Sequence, residues 1–223
     1  MTELSSAIRT RGPDLARRAT EEMYRDPFWE ERFGEVGRKS AAEDGDHYIT
    51  YLVQALEVNE PDILTTYARG RQSVLVSRGM CTAHLLENFA RLGRALGESG
   101  IPDAAPALQL LDQAQDALLY PEGPARVLQQ SAGAIADAAS RGYAGARVNA
   151  ELRTLVWYLA DAVQMNDPRL FVRHAEWARG YFDRQELPPL RDLLVALDGA
   201  LDHAPPAARD AGRAILAQVP DQK

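Results

Sequence analysis

YLVQALEVNEPDILTTYA (residues 51–68) returns 107 residues later as YLADAVQMNDPRLFVRHA (residues 158–175), and this pairing decides how the chain reads. Six positions are identical: Tyr51/Tyr158, Leu52/Leu159, Ala55/Ala162, Asn59/Asn166, Pro61/Pro168 and Ala68/Ala175. Others keep their character, as in Leu56/Val163, Glu60/Asp167, Ile63/Leu170 and Leu64/Phe171. A recurrence at fixed offset marks one structural unit, and positions the copies do not share are where their roles can diverge. Within each copy, apolar residues recur at spacings of three and four on both sides of an Asn-acid-Pro step. That is the pattern of two helices joined by a turn.

Outward from this motif the same spacing persists. Alanine and leucine are abundant and β-branched runs are absent, so helix is expected throughout. Asp14 is placed to cap a helix running to about residue 25, and Asp26-Pro27 restarts the chain into a short aromatic helix carrying Phe28, Trp29, Phe33 and Val36. Ser40-Ala41-Ala42-Glu43 has the form of a capping box opening the next helix, which Asn59-Glu60-Pro61 closes. A helix follows to Gly79; Thr82 caps another that ends at Gly97, and Asp103 opens one more. Tyr120-Pro121-Glu122-Gly123-Pro124 is the clearest punctuation mid-chain. Helices are then expected to about residue 141, over 147–165, 168–184 and 189–202, and ending near Val219. Weak matches of Asp103-Ala104 to Asp210-Ala211 and of Ala107-Leu108 to Ala214-Ile215 extend the offset to the closing helices. The expectation is an all-α protein of ten to eleven helices: two tandem helical bundles related by an internal duplication, 1–120 and 121–223, packed closely together.

The 223 residues, 46% hydrophobic and 26% charged, suffice for a well-buried core. A net charge of −7 argues against nucleic acid as partner, since phosphate binding needs a concentrated basic face. The lone cysteine, Cys81, excludes an internal disulfide and fits a reducing, cytoplasmic setting. No leader-like or membrane-length apolar run stands out, so no membrane partner is expected. No phosphate-binding glycine loop, nucleophile elbow or zinc spacing occurs.

Two constellations carry candidate chemistry. In the first copy, Asp44 and His47 are three apart, as are His84 and Glu87 on another helix. Acid and imidazole at helical spacing on two helices are the material of a bundle metal site for a transition metal, with Glu21, Glu22 or Glu35 as further ligands. The alternative is two surface pairs near helix starts. At the 107 offset His47 becomes Thr154 and His84 becomes Arg191, so such a site belongs to the first copy alone. In the second copy, Phe171, His174, Trp177 and Tyr181 form one helical stripe, with Trp157 and Tyr158 on the preceding helix. They can wall a pocket for a flat cofactor, with His174 as axial ligand to a tetrapyrrole metal. Otherwise they are core, or the anchor of a subunit interface. Cys81, near a helix start, reads as an unreactive, partly buried thiol.

The block EERFGEVGRKSAAEDGDHYITYLVQAL (residues 30–56) resembles a segment of bacterial all-helical sensor and regulatory modules, some found beside corrinoid-binding domains. The resemblance spans about residues 14–97. It rests on Arg32-Phe33-Gly34-Glu35, Gly37-Arg38, and Asp44 with His47-Tyr48. It implies a sensory or regulatory role and the capacity to hold a corrinoid or other tetrapyrrole. The favoured expectation is a non-catalytic regulatory or protein-interaction protein that senses a small ligand, binds a protein partner or self-associates, with a homodimer as the simplest form. The alternatives are a tetrapyrrole- or corrinoid-binding sensor and a metal-dependent enzyme of helical-bundle type.

Overall fold

The computed structural model describes residues 2–220. Among these the protein is all-α: ten α-helices and one 3-10 turn, with no strand. Among the described residues no helix is long and apolar enough to cross a membrane. The chain divides into two compact units. The first runs to Val74 and resumes over His84–Leu118; the second takes Leu75–Ala83 and the chain from Leu119 onward. The division at Leu118/Leu119 lies close to the expected 120/121 boundary. The capture of Leu75–Ala83 by unit 2 was not foreseen.

In unit 1, α1 (Glu3–Met23) begins well before Asp14, because Thr2 and Ser5 form a reciprocal cap: Thr2 Oγ1 accepts from Ser5 N at 3.1 Å and Ser5 Oγ accepts from Thr2 N at 3.0 Å. Pro13 therefore lies inside the helix, and Asp14 pairs with Arg17 instead of capping. α2 (Pro27–Val58) starts as expected, with the Asp26 carboxylate accepting from Phe28 N at 2.9 Å. Its break falls at Gly34, at φ 58°, a conformation that favours glycine, so Ser40 lies within helix and no capping box opens there.

α1 and α2 run antiparallel in close contact, which two glycines permit. A Cβ on Gly12 would stand 3.0 Å from Ile49 Cγ2, and one on Gly45 would stand 2.9 Å from Ala16 Cβ. α3 (Asp62–Ser77), α4 (Thr82–Gly97) and α5 (Ala105–Ala117) follow. Gln72 Nε2 donates to Leu118 O at 2.7 Å and Arg69 Nε to Ala117 O at 3.2 Å, satisfying carbonyls at the end of α5.

Unit 2 holds α6 (Gly123–Ala139), α7 (Ala146–Gln164), α8 (Arg169–Arg184), α9 (Leu190–Ala200), the 3-10 turn Leu201–His203 and α10 (Pro206–Leu216). The quoted motif occupies the end of α2 and start of α3 in unit 1, and the end of α7 and start of α8 in unit 2. Its geometry recurs at the same offset. Asn59 and Asn166 are left-handed at φ 54° and 49°. Glu60 N donates to Ala55 O and Asp167 N to Ala162 O, each at 3.0 Å. Tyr51 stacks on Tyr67 at 3.8 Å and 15°; Tyr158 stacks on His174 at 3.7 Å and 12°. The next turn repeats too, with Met80 N to Leu75 O at 3.1 Å and Leu187 N to Phe182 O at 3.0 Å, around Gly79 at φ 97° and Glu186 at φ 52°. The offset stops before the closing helices: Asp103 sits at φ 52° in the turn before α5, whereas Asp210 lies within α10, which starts earlier relative to its unit.

The helix contact supplies a stability test. Gly45→Val is expected to lower the urea-unfolding free energy by about 1–3 kcal/mol, since Ala16 is rigid and cannot yield. Gly70→Ala, in α3 with open space around it, is expected to raise it by up to about 1 kcal/mol. Equal effects from the two would contradict the close packing.

Candidate functional site

The four residues read as metal ligands separate. Asp44, on α2, is half-buried and ion-paired with the Arg71 guanidinium of α3. Tyr48 and Tyr67 stand beside this pair, and burial pushes both hydroxyls upward in pKa. His47 is exposed on the opposite side of α2 from the buried Tyr48 and Ile49.

His84 and Glu87 do lie together on α4, but each is occupied. The His84 imidazole is buried among Phe28, Trp29 and Phe33, with ring centroids 5.0, 5.1 and 6.0 Å away. Burial, then the charge of Arg32, lowers its pKa to about 3, so it is neutral. Burial raises the Glu87 carboxyl, opposed by Arg91, which donates to it at 3.1 Å. Arg91 and Arg94 converge on Glu22 as well. Among the described residues no group of three or more His, Cys, Asp or Glu is placed to hold a metal ion. The physical reason is local: arginines neutralise the carboxylates and aromatic rings enclose the imidazole.

The stripe on α8 assembles as read, but its rings fill space with one another. The His174 imidazole lies flat on Tyr158, and at 3.7 Å no ligand ring fits between them. Trp177 follows at 5.7 Å from His174, and Tyr181 stacks on Trp177 at 4.8 Å. Phe171 is fully buried beneath, and Trp157 is half-buried on α7. The column ends in polar contacts: Arg147 Nη2 donates to the Tyr181 hydroxyl at 2.7 Å, which donates to Glu151 Oε1 at 3.2 Å. This is an aromatic seam closing α7 onto α8.

The site that sequence reading missed is Asp161 of α7, 0% exposed. Its Oδ2 accepts from Thr82 N at 2.7 Å. Its Oδ1 accepts from Thr82 Oγ1 at 2.7 Å and from the Tyr120 hydroxyl at 2.6 Å. The carboxylate thus caps the start of α4 from another helix, and Thr82, expected to cap that helix itself, spends its hydroxyl on Asp161. Desolvation raises the Asp161 pKa to about 6, with the three donors opposing the shift. Burial and the nearby carboxylate push the Tyr120 hydroxyl upward. Cys81, next to Thr82, is fully buried. At the 107 offset Asp161 corresponds to Gln54, exposed on α2, so this arrangement belongs to unit 2. One signal was available: Asp161 is the sole charge in the apolar run 155–163, three residues from Tyr158 and so on its face. No family model, no curated protein and no solved structure matches this chain.

Asp161 and His84 predict opposite pH dependence. Asp161 has a raised folded-state pKa, so its stability contribution is full below about pH 4 and is lost as pH rises to about 6, by up to about 3 kcal/mol. In Asp161→Asn this loss disappears, flattening unit 2 stability over that window. His84 has a depressed folded-state pKa, so its contribution is present above about pH 6.5 and is lost as pH falls. His84→Gln therefore flattens the acid limb of unit 1. Urea titrations at pH 4–7, with Trp29 fluorescence reporting unit 1 and Trp157 and Trp177 reporting unit 2, check both. Unchanged slopes in either variant would refute that assignment.

Proposed function

We propose that this chain is a non-catalytic regulatory or protein-interaction helical protein that acts through self-association. The observation that supports this is a pair of matching exposed tips. Val58, 64% exposed, and Met165, 39% exposed, each stand one residue before a left-handed asparagine, with Glu60-Pro61 and Asp167-Pro168 after it. A single exposed apolar side chain is ordinary on any surface. Here one is held at the same step of the same turn in both units, while the neighbouring Ala55, Leu64, Ala162 and Phe171 are buried. An apolar tip flanked by an acidic residue has the composition of a small interface: an apolar centre with a polar rim. The turn is fixed by backbone hydrogen bonds, so it presents the side chain without a large ordering cost on association. The side chains that suggested chemistry support the same reading. Asp44 joins α2 to α3 through Arg71, Glu87 pairs with Arg91 along α4, and His84 and His174 pack against rings within their own units.

Native mass spectrometry and sedimentation velocity across a concentration series test this reading. The expected result is a homodimer for the wild-type chain, weakened tenfold or more in the double variant Val58→Glu/Met165→Glu, with helicity by circular dichroism unchanged. A wild-type chain that stays monomeric at every concentration and carries no small ligand into the mass spectrometer would overturn the proposal.

A further inference from the structure

The chain leaves unit 1 at Leu75, turns through Gly79 at φ 97°, and rejoins unit 1 at His84. The segment between, Leu75–Ala83, belongs to unit 2, and α7 grips it at two places. Asp161 takes the Thr82 amide and hydroxyl, each at 2.7 Å, and the Tyr158 hydroxyl donates to Gly79 O at 2.9 Å. Tyr120 steadies the same carboxylate at 2.6 Å, while Val76 and Cys81 are buried within the segment. The counterpart turn around Glu186 lies wholly inside its own unit, flanks included. Only the first copy lends its turn away.

We propose that Leu75–Ala83 is a clasp that opens as a local unit, without unfolding of the helices that flank it, and that opening bares the Cys81 thiol. Two physical features carry this. A fully buried carboxylate holds its place against a desolvation cost, and release returns both the charge and its donors to water. Most of the polar grip is therefore recovered as hydration when the clasp opens. In addition, the segment takes in only the last residues of α3, the turn around Gly79 and the first residues of α4, so opening frays these ends while the rest of both helices keeps its internal hydrogen bonds. Such sub-global openings lie below the free energy of global unfolding.

Cys81 is the single cysteine of the chain, so it reports on the clasp without engineering. The full-length protein is labelled with 4,4′-dithiodipyridine over a urea series below the unfolding transition, and each rate is divided by that of the urea-unfolded chain at the same pH. The expected wild-type result is labelling with a shallow urea dependence, well under the slope of global unfolding followed by circular dichroism. Thr82→Val removes one bond to the carboxylate and is expected to speed labelling tenfold or more; Tyr158→Phe, which keeps the ring stack, about fivefold. Leu197→Ala, in the core of α9, lowers the global midpoint but leaves labelling at low urea unchanged. A wild-type labelling slope equal to the global one overturns the proposal, and that measurement decides even if a variant fails to fold. So does a Leu197→Ala chain that labels as fast as Thr82→Val.

Discussion

A carboxylate with no access to water is unfavourable by several kcal/mol unless its lone pairs are met by donors. Asp161 meets that condition with the Thr82 amide, the Thr82 hydroxyl and the Tyr120 hydroxyl. These donors come from two places far apart in sequence: the start of α4, and the link before α6. The requirement to satisfy one charge therefore ties two stretches of chain to α7. It also accounts for the unusual composition of unit 2, which takes Leu75–Ala83 out of the middle of unit 1. Without that segment the carboxylate would lose two of these bonds, and the amide at the start of α4 would lose its acceptor.

Around this centre the two units solve a shared problem in the same way. A helix that ends must satisfy its last carbonyls, and both units do so with a left-handed asparagine followed by an acidic residue and proline. The ring that closes the helix pair is a tyrosine in both, stacked on Tyr67 in one and on His174 in the other. Stacking asks only for a flat partner of the right width, so tyrosine and histidine serve the same position. Gln54 and Asp161 do not interchange in this way. Gln54 is a neutral, exposed amide, whereas Asp161 is a buried carboxylate that needs its own set of donors.

The helical class, the Asp26-Pro27 restart and the Asn turns were legible because each rests on local chemistry. Apolar spacing, a cap, or a left-handed turn is determined by residues within one or two helical turns. The places where sequence reading failed depend on competing local signals or on partners that spacing does not name. Ser40 has the form of a cap, but Gly34 breaks the helix first, and nothing local ranks the two. Thr82 also has the form of a cap, yet its hydroxyl serves a residue 79 positions on. The proposed ligands Asp44 and Glu87 were correctly placed on helix faces, but spacing says nothing about the arginines that reach them from α3 and from the next turn of α4.

The histidines show how an identical side chain acquires different meanings. His47 is in water. His84 is enclosed by three aromatic rings, with Arg32 nearby, and both influences disfavour its charged form. A protonated imidazole gains from aromatic faces when it keeps some hydration, but full burial removes more than the rings return. Asp161 undergoes the mirror effect: burial disfavours its charged form too, and for an acid that means proton uptake. Moving each unit's buried group to water thus shifts protons in opposite directions between about pH 4 and 6: unfolding around His84 takes one up, and unfolding around Asp161 gives one off. His84 and Asp161 lie in separate units and their contributions to the net pH dependence partly cancel, while Glu87 in unit 1, also raised by burial, adds to the side of Asp161. Acidity therefore favours the packing around Asp161, and neutrality the packing around His84.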